Sequence, residues 1–186
     1  MAILPYLLIG AVLALAGVLV QARYVSFWAQ KPEDYASGPA FDIRERLNGP
    51  IVCEGVIFGP TGRVSSRFVA DFEASWQGNV GIMTEVFTYD SGAVQNRQWK
   101  LTVNDDGEIQ AEAPDVVGVG RGRQKGSAVL LNYRIKLAEE AGGHVLNTTD
   151  WMYLTPNGVI MNRSQFRKFG IKVAELVATM RPRDAA

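Results

Sequence analysis

The chain has 186 residues, of which 47% are hydrophobic, and its 19 basic and 19 acidic side chains give no formal net charge at pH 7. This length accommodates one domain with its own core and an accessory segment. A balanced charge lacks the long-range positive field that nucleic-acid-binding proteins use, so we expect no nucleic-acid partner. The single cysteine, Cys53, excludes an intramolecular disulfide.

The first segment of the chain is apolar. Residues 1–22 contain no charged side chain, and a helix over residues 3–22 would span about 30 Å, the thickness of a hydrocarbon core. Arg23, Phe27 and Trp28 follow, as cationic and aromatic residues do at membrane interfaces. We predict a transmembrane anchor over residues 1–28 that contacts the bilayer through residues 3–22. A cleaved signal peptide is the alternative, which the missing basic start and the apolar length disfavour.

The next two segments are short. Residues 29–40 are polar, contain two prolines and have neither the helical nor the strand period, which predicts a linker or a strap. The segment from Phe41 to Leu47 fits a short helix that begins at Asp42 and ends at Asn48-Gly49-Pro50. Three of its apolar side chains would close one end of a barrel: Phe41, Ile43 and Leu47.

From residue 51 onward the hydrophobic period is two, and short turn motifs recur. Residues 64–76 alternate most clearly, with apolar or small side chains on one face and mostly polar ones on the other. Further candidate strands are residues 80–89, 94–103, 116–120, 127–138, 145–154 and 158–161. We predict a last strand over residues 171–181, although these residues also have helical spacing. Nine or ten strands joined by short turns predict an all-β, antiparallel up-and-down β-barrel over residues 41–186, which leaves no exposed edge.

One predicted hairpin has two charged residues on its apolar face. A three-residue turn at Asp90-Ser91-Gly92 places Glu85 opposite Arg97. Burying either charge alone costs several kcal/mol, so we expect the two to pair inside the barrel. Either the pair fixes the strand register, with Trp99 stacked beside the guanidinium, or Arg97 receives the charged head of an amphiphile. Asp150 is an alternative partner for Arg97 or for Arg163.

Catalytic and metal sites have little support. His144 is the only histidine and follows two glycines, which is typical of a turn, and no Gly-x-Ser-x-Gly motif occurs. One histidine and one cysteine are a poor ligand set for zinc. We therefore expect no enzyme activity, no metal and no cofactor. The glycine-rich and basic residues 118–126 match no phosphate-binding motif, and we predict a mobile hairpin at the barrel mouth that contacts anionic lipid.

Several short motifs occur together: Phe41-Asp42-Ile43, Asn48-Gly49-Pro50, Glu85-Val86-Phe87, Tyr89-Asp90, Arg97-Gln98-Trp99, Asp115-Val116-Val117-Gly118, Asp150-Trp151-Met152-Tyr153, Asn162-Arg163-Ser164 and Lys168-Phe169-Gly170. In order and spacing, this set resembles the bacterial envelope family catalogued as domain of unknown function 3833. That family has no assigned activity, and many members resemble exported lipoproteins, which implies a periplasmic barrel. Residues 1–30 contain no cysteine for a lipid anchor, so the transmembrane helix would replace it.

We therefore predict a single-pass protein of the bacterial inner membrane, with a periplasmic barrel. The charges beside the helix favour the cytoplasmic side instead. The barrel, lipocalin-like by analogy, is expected to bind a lipid, a fatty acid or another apolar molecule. The alternative is a structural or interaction protein of the envelope, whose barrel is filled by its own side chains. The predicted ligand-binding residues are Phe68, Phe72, Trp76, Glu85, Phe87, Arg97, Trp99, Trp151 and Tyr153.

Overall fold

The computed structural model describes residues 3–183. Two helices, α1 (Ile3–Tyr24) and α2 (Ile43–Arg46), precede the strands, with a 3-10 turn at Pro32–Tyr35 between them. The strands are β1 (Gly49–Phe58), β2 (Val64–Gln77), β3 (Val80–Tyr89), β4 (Val94–Val103), β5 (Glu108–Glu112), β6 (Gly120–Lys125), β7 (Ala128–Lys136), β8 (Val145–Leu154), β9 (Ile160–Lys168) and β10 (Ile171–Pro182). A second 3-10 turn, Glu139–Ala141, lies between β7 and β8.

The ten described strands form one closed antiparallel barrel. Each strand pairs with the next along the chain, and β10 closes the barrel by pairing with β1 from Ile51 opposite Pro182 to Phe58 opposite Glu175. This arrangement confirms the predicted all-β up-and-down barrel with an N-terminal apolar helix. The last segment is strand and not helix, because closure of the barrel requires a partner for both β1 and β9.

Helix α2 covers one end of the barrel, which we call the α2 end; the other is the distal end. Asp42 accepts a hydrogen bond from the Arg44 amide and caps the helix at its start. The predicted side chains Phe41, Ile43 and Leu47 are buried there. The Trp76 indole donates a 2.7 Å hydrogen bond to the Leu47 carbonyl and so ties α2 to β2.

The region from residue 108 to residue 126 differs from the sequence prediction. Strand β5 was not predicted, because it is short and only Ile109 and Ala111 mark its inner face. The predicted strand over residues 116–120 is reduced to a single bridge between Val116 and Ile135. Residues 120–125 form β6, paired with β5 and β7, so the predicted mobile hairpin at 118–126 is wrong. A Cβ atom on Gly122 would lie 2.1 Å from the Leu130 carbonyl oxygen, so only glycine permits this approach.

Residues 25–40 form a strap on the outer face of β7, β8 and β9. Tyr35 packs edge-to-face against the rings of Trp151 and Tyr153, at centroid distances of 5.5 and 5.3 Å. The Tyr153 hydroxyl donates a 2.7 Å hydrogen bond to the Gln30 side chain, which the Tyr35 hydroxyl also contacts. The segment predicted as a linker or a strap is therefore packed against the barrel wall.

Helix α1 stands apart from the barrel core. None of its residues is buried. It is long and apolar enough to cross a membrane, and a signal sequence near an N-terminus would have the same length and composition. The structure thus gives α1 the properties of a membrane span or of a signal sequence.

Candidate functional site

A cavity of about 120 Å³ lies inside the barrel. Its apolar wall includes Phe68 and Phe72 from β2 and Phe87 from β3, whose rings pack edge-to-face at centroid distances of 5.2 and 5.5 Å. These residues face inward because alternate side chains of a strand point to the same face. The polar part of the lining comprises Glu85, Arg97, Tyr133, Asp150, Asn162 and Ser164. The site therefore combines an aromatic wall with a cluster of buried polar groups.

The predicted pairing of Glu85 with Arg97 is confirmed by the register of β3 and β4. The turn forms as expected, with the Tyr89 amide donating to the Ala93 carbonyl and a positive φ at Gly92. The Arg97 guanidinium lies 3.5 Å from the Glu85 carboxylate, which is a long contact for an ion pair. Its carbon lies 4.8 Å from the centre of the Trp99 ring, as expected for a stacked cation.

The principal partner of Arg97 is Asp115, which lies between β5 and β6. Arg97 Nε donates to Asp115 Oδ2 at 2.7 Å, and Nη2 donates to Oδ1 at 3.1 Å. This two-point geometry is the strongest contact that a guanidinium makes with a carboxylate. Arg97 is therefore held mainly by Asp115, and Glu85 keeps unused acceptor capacity beside the cavity.

Glu85 has a strongly altered acidity. Its side chain is buried, with 5% of the residue exposed, and this burial raises the pKa of the Glu85 carboxyl to about 7, although Arg97 and Trp99 lower it in part. For Arg97, burial lowers the pKa, but the surrounding Glu85, Tyr133 and Asp115 outweigh it, so the pKa is raised. At neutral pH Glu85 is thus divided between a protonated form, which can donate a hydrogen bond, and an ionised form, which accepts one.

Asp150 forms a second polar group in the lining. It accepts a 2.8 Å hydrogen bond from the Ser164 hydroxyl and another from the Asn162 amide. Burial raises the pKa of Asp150, and the two hydrogen bonds lower it in part. The predicted ion pairs of Asp150 are wrong, because Arg97 binds Asp115, while Arg163 lies on the outer face and binds Glu175 at 2.6 Å.

Six of the nine predicted site residues line the cavity: Phe68, Phe72, Glu85, Phe87, Arg97 and Trp99. Trp76 lies at the α2 end, where its indole is bound to the Leu47 carbonyl. Trp151 and Tyr153 lie on the outer face of β8 and not in the interior, because the even-numbered residues of β8 point inward. The strap buries Trp151 from outside the barrel. A large apolar residue at this position therefore looks, in the sequence, like one that faces the interior. A role in ligand binding stays a prediction for all nine residues.

Four polar lining or supporting residues were not predicted. Tyr133, Asn162 and Ser164 lie at the inward-facing, alternate positions of β7 and β9. The alternation of these strands was therefore the signal that could have found them. Asp115 has no such signal, because it lies in a loop, outside any periodic pattern. Its contact with Arg97 depends on how β5 and β6 complete the barrel.

A closed antiparallel barrel with each strand beside its chain neighbour and a partly polar interior is lipocalin-like in architecture. Residues 22–182 match the sequence profile of a family described as "Protein of unknown function (DUF3833)". The chain belongs to this family.

Two further comparisons concern known proteins. The S-type phycobiliprotein lyase CPES from Guillardia theta has a similar structure, with a TM-score of 0.58 and 10% sequence identity. The similarity covers 83% of this chain and 98% of the lyase chain. At this identity the likeness shows the barrel fold. No curated protein sequence matches the chain.

Proposed function

We propose that this protein binds a small, mainly apolar molecule inside its barrel, through an aromatic wall and a hydrogen bond to Glu85. The observation that carries the proposal is the buried Glu85 carboxyl, which borders a cavity and has only a 3.5 Å contact with its strand partner. A buried carboxyl whose contact with its cation is this long is only partly compensated for the loss of water, which costs free energy. A ligand that donates a hydrogen bond to Glu85 would recover part of that cost.

The size of the cavity limits the ligand. Its volume of about 120 Å³ is close to that of an engineered protein cavity of about 150 Å³ that binds benzene, whereas drug-sized ligands occupy pockets of about 300–1,000 Å³. A whole fatty acid or lipid is too large for the cavity in this conformation. We therefore propose a ligand, or a ligand end, about as large as a single aromatic ring.

The charges of the site favour a donor over an anion. The Arg97 guanidinium is engaged by Asp115 and Glu85, so a ligand carboxylate would find no uncommitted cation at this position. It would also approach Glu85 and Asp150, which are acidic and line the cavity. An amine, an amide or a hydroxyl group meets no such repulsion. The ligand proposed here is therefore neutral or cationic at its polar end.

The small volume of the cavity also supports a second candidate function. Aromatic side chains such as Phe87 and Trp99 already fill much of the interior, so the barrel would be a structural or interaction protein that binds no ligand in its interior. We propose an enzyme activity in neither case. Cys53 is a poor nucleophile, since burial raises the pKa of its thiol well above its usual range.

We also propose that α1 anchors the barrel in a bacterial inner membrane. Its length, its apolar composition and the aromatic residues Phe27 and Trp28 after it support a membrane span. The resemblance to envelope proteins supports a periplasmic barrel, with the cytoplasmic side as the alternative. Protease accessibility of the barrel in intact and permeabilised cells distinguishes these two orientations.

The binding proposal is tested with ring-sized probes. Residues 23–186 retain the strap and the barrel, and α1 contributes no buried residue to either, so this fragment serves for solution binding. Aniline, toluene and benzoate share one ring and differ in donating, apolar or anionic character. Ligand-observed NMR is expected to rank aniline first and benzoate last.

Two substitutions on β3 locate the binding. Phe87→Trp places a larger ring in the cavity wall and should abolish aniline binding, whereas Val86→Trp, on the outer face of the same strand, should leave it unchanged. Circular dichroism checks that both variants fold. Preferred binding of benzoate would instead make Arg97 the receptor. No binding of any probe would favour the side-chain-filled barrel.

A further inference from the structure

The hairpin between β9 and β10 presents large apolar side chains to solvent at the distal end. Phe169 is 91% exposed and Ile171 is 69% exposed, and the two flank the turn at Gly170. Val145, at the start of β8, is also exposed, and it lies beside this hairpin because Asn147, two residues later, pairs with Arg167. The barrel core does not use these side chains.

The backbone at Phe169 is unfavourable as well. Its φ is 52°, the one positive φ among the non-glycine residues of the described chain. Glycine and asparagine adopt this conformation readily, whereas a bulky side chain is strained in it. Phe169 therefore costs free energy twice, through its backbone conformation and through the exposure of its ring to water. Such strain points to a contact made outside the barrel itself.

The strap places this hairpin near the end of α1. The Arg167 guanidinium lies 4.5 Å from the centre of the Trp28 ring, and that of Arg163 lies 4.9 Å from the centre of the Phe27 ring. Phe169 follows Arg167 by two residues. The segment that follows α1 is thus held through Phe27 and Trp28 against β9, the strand that leads to the hairpin tip.

The hairpin is also basic. Residues 167–172 contain three basic and no acidic side chains. The Lys168 ammonium lies 2.9 Å from His144 Nδ1 and 5.6 Å from the centre of the Phe169 ring, without an acidic partner among the described ion pairs. Lys172 is paired with Glu175. A lysine without a carboxylate partner among the described ion pairs, beside an exposed aromatic ring, is typical of a segment that lies at an anionic lipid surface.

We propose that the β9–β10 hairpin docks on the bilayer that α1 crosses, with Phe169 and Ile171 in the headgroup region and Lys168 against anionic phospholipid. The distal end then faces the membrane on the side of β8, β9 and β10. This inference rests on the membrane anchor proposed above for α1. It is independent of whether the barrel interior binds a ligand.

The test uses the full chain in phosphatidylcholine vesicles with and without phosphatidylglycerol. Phe169→Cys labelled with an environment-sensitive fluorophore is compared with Val94→Cys, which is 60% exposed at the distal end of β4. Strand β4 lies five strands from β9 in either direction around the barrel, so the Val94 label is a matched control on the opposite side. Cys53 is buried, and labelling the natural chain measures how much fluorophore reacts at Cys53.

The label at position 169 is expected to shift its emission to shorter wavelength and to be quenched by brominated lipids, more strongly with phosphatidylglycerol. The label at position 94 should do neither. If the chain floats with the vesicles but the label at position 169 remains exposed to water, the docking is overturned and the anchor is not. Failure to float would overturn the anchor itself. A blue shift without lipid quenching would indicate contact between protein copies and overturn the proposal.

A second variant separates membrane contact from folding. Asparagine fits the positive φ of this turn, so a chain with Phe169→Asn should fold normally. A label at Ile171→Cys in that chain is expected to lose most of its lipid quenching, because the aromatic residue beside it is gone. Unchanged quenching in the Phe169→Asn chain would show that Phe169 does not contribute to the contact.

Discussion

Replacing Glu85 by glutamine is expected to flatten the dependence of barrel stability on pH. Burial raises the pKa of Glu85 from 4.5 to about 7, so between these two values the folded chain holds a proton that the unfolded chain has released. The free energy of unfolding of the natural chain therefore falls as the pH rises through this window. Glutamine has nearly the same shape and no charge at any of these pH values, so this contribution disappears.

The magnitude follows from the size of the change. One pKa unit corresponds to about 1.4 kcal/mol, so the rise from 4.5 to about 7 corresponds to about 3 kcal/mol. This is a large part of the stability of a typical domain, about 5–15 kcal/mol. Above about pH 8, Glu85→Gln should be more stable than the natural chain by up to this amount, because Arg97 keeps its two hydrogen bonds to Asp115.

The measurement is urea unfolding of residues 23–186 at several values between about pH 5 and about pH 8. Glu112→Gln is the control, because Glu112 is an exposed carboxylate that pairs with Lys100 on the barrel surface. The control curve should run parallel to that of the natural chain, whereas the Glu85→Gln curve should be flatter. Equal slopes for the natural chain and Glu85→Gln would refute the raised pKa of the buried Glu85 carboxyl.

Three other substitutions test separate parts of the structure. Arg97→Met leaves the buried Glu85 and the half-buried Asp115 without their cation and should lower the unfolding free energy by about 3 kcal/mol, with a smaller loss near pH 5, where Glu85 is protonated. Urea unfolding near pH 5 and near pH 8 measures this difference. Tyr35→Ala removes two ring contacts and should cost about 1 kcal/mol for each, with faster amide hydrogen exchange around Trp151. Phe169→Asn should raise the unfolding free energy by about 1 kcal/mol by relieving the positive φ, as read from its urea midpoint.

Each of these substitutions has an outcome that contradicts the structure. An unchanged stability of Arg97→Met near pH 8 would mean that the interior ion cluster does not form. Unchanged hydrogen exchange in Tyr35→Ala would mean that the strap does not hold the wall at β8. A lower stability of Phe169→Asn would mean that the Phe169 side chain supports the fold and not an external contact.

The barrel could be predicted because its strands are marked by local sequence patterns. Turn motifs and strict alternation fixed β3, β4 and β8 at their observed bounds, and the loop length of one hairpin set Glu85 opposite Arg97. Closure of the barrel was predicted because a closed sheet has no edge strand with unpaired backbone groups. These features depend on residues that are close together in the chain.

The features that were missed depend on contacts between distant segments. The alternation of β8 has two faces, and the strap buries the outer one, so Trp151 and Tyr153 have apolar surroundings outside the barrel. Local pattern cannot tell which face a distant segment will cover. Asp115 reaches Arg97 from a loop 18 residues away in the chain, and only the assembled barrel brings them together. The same holds for the place of the strap beside the hairpin that contains Phe169.

If the barrel interior receives a small ligand, the indole N–H resonances of the four tryptophans report where that ligand binds. Trp99 lines the cavity, whereas Trp76 is bound to Leu47, Trp151 lies under the strap, and Trp28 packs on Arg167. Titration of residues 23–186 with aniline should shift the Trp99 indole N–H resonance saturably and leave those of Trp28 and Trp151 in place. A Trp99 resonance that does not move, or equal shifts at all four indoles, would contradict a binding site inside the barrel.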